Sequence, residues 1–553
     1  KGFNEMHIQI YIRVLTISYY FSFSLNKKNT MSKILLFPLL LLFAFSCSEE
    51  EKKVTKKESK FNVSTDNSFQ KNAVSLISSQ KNIVAYGSVK MNQLLTKGIV
   101  NSALVETAFI KSALKDMEKL AEYMDMAVPI YFAVQSEKDE NSPLGVNMNF
   151  FIFGKVKNQK KIIQTVMDSN PTAVETKSNT CTVIEDGPMA IAVSKNQFIG
   201  KVSSTGMIQG ISTGNYVGNS QEEMNQLMSN LNANNTNPDI QAHFDDSKDI
   251  TMAFNYKELL KMYEAYMPLG YYPQTDIQSS EWINSSSMNI AFENGEMNLI
   301  LKSQYTDAMN EFNFFHSNTR ELIKKLGSGE AAGALAANIN VEEIERFRKK
   351  YYPESISNQL NNSGIPMIEE FLPDELPMIE ALIMKDGITS FMDGRFGGAL
   401  FFDENQEPQA SFNFFMGIGP NLKNMISEGA EMLGAFLHQF ELDDEHIAGY
   451  SSPSYMPSKG QSIGTNKFAE FGEKPISMFI DLSKIPTEGL LSGIDRSLRD
   501  YEVFLELIEI VSMEFDMNGG EISIKLKDKN KNALTVMMNE LTELLPKLML
   551  QMI

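Results

Sequence analysis

Apolar and polar residues alternate in short stretches along most of the chain, and turns or helix-like periods separate these stretches. The pattern is clearest in SMNIAFENGEMNLILK at 287–302 and SMEFDMNGGEISIKLK at 512–527, which lie 225 positions apart. Alternation with a period of two is typical of a strand with one apolar face. An Asn-Gly pair at 294–295 and a Gly-Gly pair at 519–520 are placed to form tight turns. The pattern therefore predicts two related β-hairpins.

A second pair of related segments lies upstream of these hairpins, in the same order. ITMAFNYKEL at 250–259 and ISMFIDLSKI at 476–485 each begin with an apolar strand pattern and continue into a helix start. Asn255 and Asp481 stand near the two junctions, where their side chains could cap the helix. Each segment is therefore predicted to be a buried strand that leads directly into a helix.

Strand-then-helix patterns also open the two halves of the chain, at 83–95 (IVAYGSVKMNQLL) and 331–347 (AAGALAANINVEEIERF). An Asn-Phe-Phe sequence recurs at 149–151 and 413–415, where a strand is predicted to end before a helix. After each of the four opening strands, at 83, 250, 331 and 476, the pattern predicts a helix, two strands and another helix. The repetition predicts two βαββα-like units in each half.

The predicted fold class is therefore α+β, with mainly antiparallel sheets covered by helices. The repeats divide the chain into two tandem related lobes, a first lobe at 73–326 and a second at 328–553. LGSGEAAGA at 326–334 is the expected junction between them, and the Asn-rich segment 229–238 is an expected exposed loop.

The segment MSKILLFPLLLLFAFSC at 31–47 has the organisation of a secretory signal. Lys33 supplies the positive charge, residues 34–45 form an apolar run, and small residues precede Cys47. A chance cysteine after an apolar helix is the alternative. The segment resembles the lipobox of bacterial lipoproteins, in which the cysteine is diacylated through sulfur and becomes the new N-terminus. The resemblance implies a signal peptide at 31–46 and lipidation of Cys47.

A serine and three acidic residues follow the cysteine directly: Ser48, Glu49, Glu50 and Glu51. This run resembles the lipoprotein export signal of Bacteroidota, which directs lipoproteins to the outer face of the outer membrane. A solvated tether is the alternative for such a charged run. Residues 47–72 are polar without an apolar period, so a lipidated, flexible tether is expected. Residues 1–30 are expected to be upstream sequence or a mis-assigned start, with the true start between Met6 and Met31.

Together the lipobox, the acidic run, the strand-to-helix openings and the duplicated hairpins resemble a large group of Bacteroidota lipoproteins that share a domain of unknown function. The resemblance covers most of 47–553 and implies a protein anchored to the outer membrane by lipid. It implies exposure at the cell surface, with the periplasmic face as the alternative. Because acyl chains are sufficient for stable anchoring, no transmembrane helix is required. No catalytic or ligand-binding residues come with this family.

Composition and charge narrow the choice of partners. The chain has 50 Lys and Arg against 69 Asp and Glu, a net charge of −19, which argues against nucleic acid because phosphates demand basic surfaces. A content of 43% hydrophobic and 22% charged residues is ordinary for a folded, soluble protein and argues against a wholly disordered chain and against a multi-span membrane protein. Two cysteines cannot form a disulfide framework or a cysteine-based zinc module, and Cys181 is predicted to be a small buried apolar residue. No cofactor is predicted.

One cluster has residue types suited to a metal site: His438, Glu441, Glu445 and His446. If a helix that begins near Leu422 continued through this segment, His438, Glu441 and Glu445 would share one face and could bind a divalent metal. The alternative is a solvated, acidic helix end.

Aromatic residues gather in a second segment: Tyr263, Tyr266, Tyr271, Tyr272 and Trp282. Exposed, they would offer stacking surfaces for a glycan or anchors for a protein partner. Buried, they would pack in the core, as their helical spacing also allows.

The sequence GISTG at 210–214 matches G-x-S-x-G, but the glycines and asparagines around it favour a loop over the strand-turn-helix that a nucleophilic serine needs. The function predicted is therefore non-catalytic binding, scaffolding or adhesion at the cell envelope. The alternative is an envelope hydrolase or metal-dependent enzyme with its site near His438–His446 or between the lobes.

Overall fold

The structure of the chain is a computed structural model, and the residues that it describes are 66–106, 108–138, 146–205, 221–259, 261, 282–351, 376–402, 410–427, 437–458, 462–464, 471–485 and 502–540.

These residues pack into two compact units. The first unit consists of the described residues within Asn4–Tyr272, together with Ile283–Asn294 and those within Lys531–Ile553. The second unit consists of Trp282 and the described residues within Gly295–Asn530. The predicted lobes put 295–326 in the first lobe and 531–553 in the second. In the structure, residues 295–326 belong to the second unit and the described residues 531–540 belong to the first.

The first unit is built on an antiparallel sheet. Its described strands are β1 Ile83–Val89, β2 Ile130–Lys138, β3 Val146–Lys155, β4 Val174–Lys177, β5 Thr182–Asp186, β6 Met189–Val193, β7 Gln197–Thr205, β8 Ile250–Asn255 and β9 Ile283–Glu293. Their order in the sheet is β4-β5-β6-β7-β3-β2-β1-β8-β9.

Described helices pack against this sheet. They are α1 Gln70–Ser79, α2 Met91–Leu94, α3 Ala108–Tyr123, α4 Gln159–Ser169, α5 Gln221–Leu231 and α6 Pro238–Asp245, with a π-helix at Leu95–Val100 and helical residues at 533–540. Helix α1 packs against α5 and α6. The core between helices and sheet includes Leu76, Leu227, Tyr131, Phe153 and Phe244.

The second unit also contains an antiparallel sheet. Its described strands are β10 Glu296–Tyr305, β11 Gly329–Glu330, β12 Gly333–Asn338, β13 Met392–Phe402, β14 Ala410–Ile418, β15 Gln439–Leu442, β16 His446–Tyr450, β17 Ile463–Gly464, β18 Ile476–Asp481, β19 Ile508–Asp516 and β20 Gly519–Leu526. The sheet order is β15-β16-β14-β13-β12-β18-β19-β20-β10. Strands β11 and β17 form a separate parallel pair.

The described helices of the second unit are α7 Asp307–Asn310, α8 Arg320–Lys325, α9 Val341–Tyr351, α10 Leu376–Asp386, α11 Pro420–Ser427 and α12 Glu502–Leu507. The core on one face of the sheet joins Leu322 of α8 and Leu326 to three phenylalanines of the strands, Phe401, Phe415 and Phe479. This mixture of helices and antiparallel strands confirms the α+β class. No helix of the described residues has both the length and the apolar character needed to cross a membrane.

The predicted strand-to-helix openings are confirmed. Strand β1 leads into α2, and β12 leads into α9. After β8, the backbone N–H of Glu258 donates to Asn255 Oδ1 over 3.3 Å. After β18, the backbone N–H of Ser483 donates to Asp481 Oδ1 over 3.1 Å. The two side chains cap the new helical turns, as predicted from their position.

The first predicted hairpin turn is confirmed, and the second is wrong by two residues. Asn294-Gly295 joins β9 to β10, and Gly295 has a φ of +69°. In the second hairpin Met517-Asn518 forms the turn, and Gly519 is already paired with Asp516. A Cβ on Gly519 would lie 2.1 Å from the Leu301 carbonyl oxygen. Glycine is favoured there both by its φ of +141° and by the close approach of the Leu301 carbonyl.

Three other predictions have outcomes in the described residues. Residues 439–442 form β15, so a helix that begins near Leu422 does not continue through the His438–His446 segment; residues 428–436 lie outside the described residues. The loop expected at 229–238 is shorter, because α5 continues to Leu231 and α6 begins at Pro238. Cys181 is buried, as predicted.

Candidate functional site

Most of the residues predicted to have a function lie outside the described residues. These are the lipidation and export residues Cys47, Ser48, Glu49, Glu50 and Glu51, and the tyrosines Tyr263, Tyr266, Tyr271 and Tyr272. The GISTG sequence at 210–214 also lies outside them.

The histidine and carboxylate cluster lies on the β15–β16 hairpin. His446 Nδ1 is 2.9 Å from Asp443 Oδ2, and its Nε2 is 3.8 Å from Glu441 Oε2. The His446 ring stacks on Phe415, with 5.1 Å between the ring centroids. The backbone N–H of Glu445 donates to Asp443 Oδ1, as does that of His446. These bonds hold the pKa of Asp443 below its ordinary value.

The hairpin changes the geometry on which the metal hypothesis was based. On a helix His438, Glu441 and Glu445 would share a face, but on two antiparallel strands this spacing separates them. The structure brings His446 near Glu441 and leaves His438 exposed before β15. Within the described ranges, no group of three or more His, Cys, Asp or Glu side chains is arranged to hold a metal ion. The contacts of Asp443 are those of a side chain that closes a hairpin turn.

Trp282 belongs to a buried aromatic cluster. Its side chain is only 8% exposed, and its ring meets Phe347 and Tyr351 edge-on at centroid distances of 5.0 and 4.4 Å. Phe312 packs edge-on against Phe347, and the Arg346 guanidinium lies 4.6 Å from the Phe312 ring centroid. Trp282 therefore packs in the core and is not available as a stacking surface for a ligand.

An extended apolar surface crosses the second sheet on the face opposite the core of Phe401, Phe415 and Phe479. Strand pairing aligns two rows of residues over seven adjacent strands, from β14 to β10. The first row is Phe412, Leu400, Gly333, Ile480, Val511, Ile524 and Met297. The second is Phe414, Gly398, Leu335, Met478, Met513, Ile522 and Leu299. We call these two rows the apolar sheet face.

Part of the apolar sheet face is open to solvent. Phe412 is 46% exposed and Ile480 is 36% exposed. Between them, Gly333 and Gly398 lack side chains and leave a shallow depression. Among the described residues, a Cβ on Gly398 would meet only the Asn413 carbonyl oxygen, at 3.6 Å.

The chemistry of this face is restricted to apolar contact. None of the residues in the two rows has a charged or hydrogen-bonding side chain. A glycan would lose the hydration of its hydroxyl groups there without gaining hydrogen bonds. Methionines at Met297, Met478 and Met513 provide flexible side chains that adapt to the shape of an apolar ligand. Exposed, contiguous apolar surface of this kind is typical of a binding site.

Strands β13 and β14 carry a sequence signal for this face that lies outside the predicted hairpins. FGGALFF in β13 and FNFFMGI in β14 are apolar at nearly every position, not only at alternate positions. Such runs indicate strands with apolar contacts on both faces. One of these faces is the core beneath α8, and the other is the apolar sheet face.

No family model matches this chain, and no curated protein matches it. Among solved structures, crystal form III of TP0453 is similar over 44% of this chain and 82% of the TP0453 chain, with 12% identity and a TM-score of 0.26. Crystal form IV of TP0453 is similar over 43% and 81%, with 11% identity and a TM-score of 0.25. A likeness of this size does not define the fold or the role of the present chain.

Proposed function

We propose that the chain is a non-catalytic, lipid-anchored binding protein of the cell envelope, and that the apolar sheet face contacts its ligand. The observation that carries this proposal is the exposure of Phe412 and Ile480 in a row of apolar residues that no polar side chain interrupts. Covering a large apolar side chain stabilises a complex by about 1.5–3 kcal/mol when the burial is complete.

The ligand class that fits this face is a long acyl chain. Neighbouring strands lie about 4.8 Å apart, so seven strands provide an apolar strip roughly 29 Å long. A protein partner would form about one hydrogen bond per 100–200 Å² of interface, and the two rows offer no side chain for such bonds. Small-molecule sites are mostly apolar, which is the character of this face.

The duplicated, two-lobe organisation is part of the proposal and has support from hydrogen bonds in equivalent places. In β8 and β9, the Thr251 hydroxyl donates to Asn289 Oδ1 over 2.6 Å. In β18 and β19, the Ser477 hydroxyl donates to Glu514 Oε1 over 3.3 Å. Thr251 pairs with Asn289 and Ser477 with Glu514 in the two ladders. Thr251 and Ser477 occupy equivalent positions of the sequence repeats, and so do Asn289 and Glu514.

The apolar sheet face can be tested with a double variant, Phe412→Ser plus Ile480→Ser. Because both side chains are partly exposed, their replacement spares the core on the other face. We expect the Kd for a fluorescent long-chain fatty acid to rise at least tenfold, a change of about 1.4 kcal/mol. Val174→Ser is the matched control, since Val174 is an exposed apolar residue of the first unit. An unchanged Kd in the double variant, or no binding by the wild type, would contradict the proposal.

Gly398→Leu provides an independent test by filling the depression. A side chain at this position has room at its Cβ, so the fold is expected to tolerate it. Fatty-acid binding should fall while the thermal unfolding midpoint stays within a few degrees. Equal binding by Gly398→Leu and the wild type would exclude this depression from the site.

The membrane anchor has its own test, the Cys47→Ala variant. Without the sulfur that accepts the lipid, the protein should no longer incorporate labelled palmitate and should leave the membrane fraction. Cys181→Ala is the matched control, because Cys181 is buried and should not affect anchoring. Retention of Cys47→Ala in membranes would rule out the lipid anchor. Protease treatment of intact cells then distinguishes the cell surface from the periplasmic face.

A further inference from the structure

We infer that the protein is a covalently joined pseudo-dimer, in which two repeats exchange the segments that follow β10 and β20. The acceptor surface for each exchanged segment is the helix that follows the opening strand of the other repeat. This inference is independent of the apolar sheet face and its ligand.

The pairing of β10 with β20 has the symmetry of a two-fold interface. Asn298 faces Ser523 in this antiparallel pair, and these residues are separated by the 225 positions of the hairpin repeat. On either side, Glu296 faces Lys525 and Ile300 faces Glu521. Glu296 is equivalent to Glu521 in the hairpin repeat, and Ile300 is equivalent to Lys525. Interchanging the two repeats therefore converts one of these pairs into the other. In a two-fold dimer the same patch of each copy contacts its counterpart in this way.

The segment that follows β20, residues 531–540, packs within the first unit. Asn532 Nδ2 donates to the Phe292 carbonyl over 2.7 Å, and the Thr535 hydroxyl donates to the Lys97 carbonyl of the π-helix. The Leu534 side chain packs so closely over Gly98 that a Cβ there would lie 2.8 Å from Leu534 Cδ2. Asn539 Oδ1 accepts the Ala103 N–H over 2.6 Å.

The segment that follows β10, residues 306–315, packs within the second unit in the equivalent manner. Phe312 contacts Phe347 and Tyr351 of α9 edge-on, with ring centroids 5.2 and 6.0 Å apart. The Asn340 N–H donates to the Phe314 carbonyl over 2.8 Å. Helix α9 follows strand β12, just as α2 and the π-helix follow strand β1. Residues 306–315 and 531–540 therefore pack on equivalent acceptor surfaces.

Each acceptor surface therefore fits the terminal segment of a neighbouring repeat. In this chain the neighbour is covalently attached, because the second repeat follows the first. The same surface would accept residues 531–540 of a second copy of the chain if its own segment were displaced. Exchange of an identical element between two copies is an established route to dimers.

Hydrogen–deuterium exchange on the full chain tests this inference with the Leu534→Asp variant. A charge in the contact with Gly98 should release the terminal segment and raise amide exchange at least tenfold within 91–106. Residues 341–351 should keep their protection. The reciprocal variant Phe312→Asp should raise exchange within 341–351 and leave 91–106 protected.

Faster exchange at 341–351 in Leu534→Asp, with 91–106 unchanged, would show that each segment packs on its own repeat and would overturn the inference. The same rise at both segments, or at neither, would also overturn it. If Leu534→Asp does not fold, Thr535→Val removes only the hydroxyl donor to Lys97 and should give a smaller rise confined to 91–106. Dimers that form in Leu534→Asp would support displacement toward a second copy.

Discussion

Asp249→Ala is expected to lower the free energy of unfolding of the first unit by about 3–5 kcal/mol, the usual range when one partner of a buried ion pair is removed. The Asp249 side chain is only 3% exposed, and its oxygens lie 2.7 and 2.9 Å from Lys97 Nζ. The same carboxylate accepts the Phe292 N–H over 2.8 Å. The variant therefore leaves an ammonium group and a buried backbone donor without their partner.

Urea denaturation followed by circular dichroism measures this loss, with two comparison variants. Asp249→Asn keeps an acceptor for Phe292 and should fall between the wild type and Asp249→Ala. Glu122→Gln breaks the exposed ion pair with Lys161 and should cost under about 1 kcal/mol. If Asp249→Ala were no less stable than Glu122→Gln, the ion pair would have no stabilising role in the first unit.

Glu345→Ala is expected to destabilise the second unit by about 3–5 kcal/mol for the same reason. Glu345 and Arg348 are both buried, and two hydrogen bonds of 2.7 and 3.0 Å join them side by side. The Ile388 N–H also donates to Glu345, which connects α9 to the turn after α10. The double variant Glu345→Leu plus Arg348→Met should recover much of the loss, because it removes both charges together.

The pH dependence of unfolding provides a second measurement on this pair. Burial by itself would raise the pKa of Glu345, but hydrogen bonds from Arg348, Ile388 and Lys349 lower it below its ordinary value of 4.5. A lowered folded pKa stabilises the protein above the unfolded pKa, and this stabilisation is lost as pH falls through the folded pKa. The wild type should therefore lose stability below about pH 4.5, and Glu345→Ala should lose less over that range. Equal slopes would show that Glu345 does not contribute to acid unfolding.

The parts of the fold that sequence patterns predicted are those that depend on neighbouring residues. The openings at β1, β8, β12 and β18 were recognisable because an apolar strand ends at a capping side chain such as Asn255 or Asp481. Asn294-Gly295 formed the predicted turn because Gly295 needs a positive φ that glycine adopts readily. Cys181 is buried because it lies directly before β5, in an apolar strand segment.

Predictions failed where distant residues decide the local structure. Gly519 follows the turn and pairs with Asp516, and the approach of Leu301 from β10 leaves no room for a side chain there. A helix from Leu422 does not continue through His438–His446, because Gln439–Leu442 forms β15 and pairs with β16. Because Glu441 lies in a strand and His438 precedes it, these two proposed metal ligands do not share a helical face. The local sequence pattern shows neither the position of the turn before Gly519 nor the strand at β15.

The candidate site shows the same division. Continuous apolar runs in β13 and β14 indicated contacts on both faces, but they did not show which face belongs to the core. Strand register decided that question, by placing Phe401 and Phe415 beneath α8 and Phe412 on the opposite face. Because side chains alternate along a strand, a shift of one residue would interchange these roles.

The sequence by itself determined the strand-to-helix openings and the first hairpin turn, since apolar period, caps and turn residues act over short distances. The tertiary structure alone decided which unit residues 306–315 and 531–540 join. Phe312 and Leu534 are apolar residues, and the apolar period of the sequence does not show which unit either of them packs in. The unit that each segment joins depends on the pairing of β10 with β20, the strands that these segments follow. This pairing is made by residues more than 200 positions apart in the sequence.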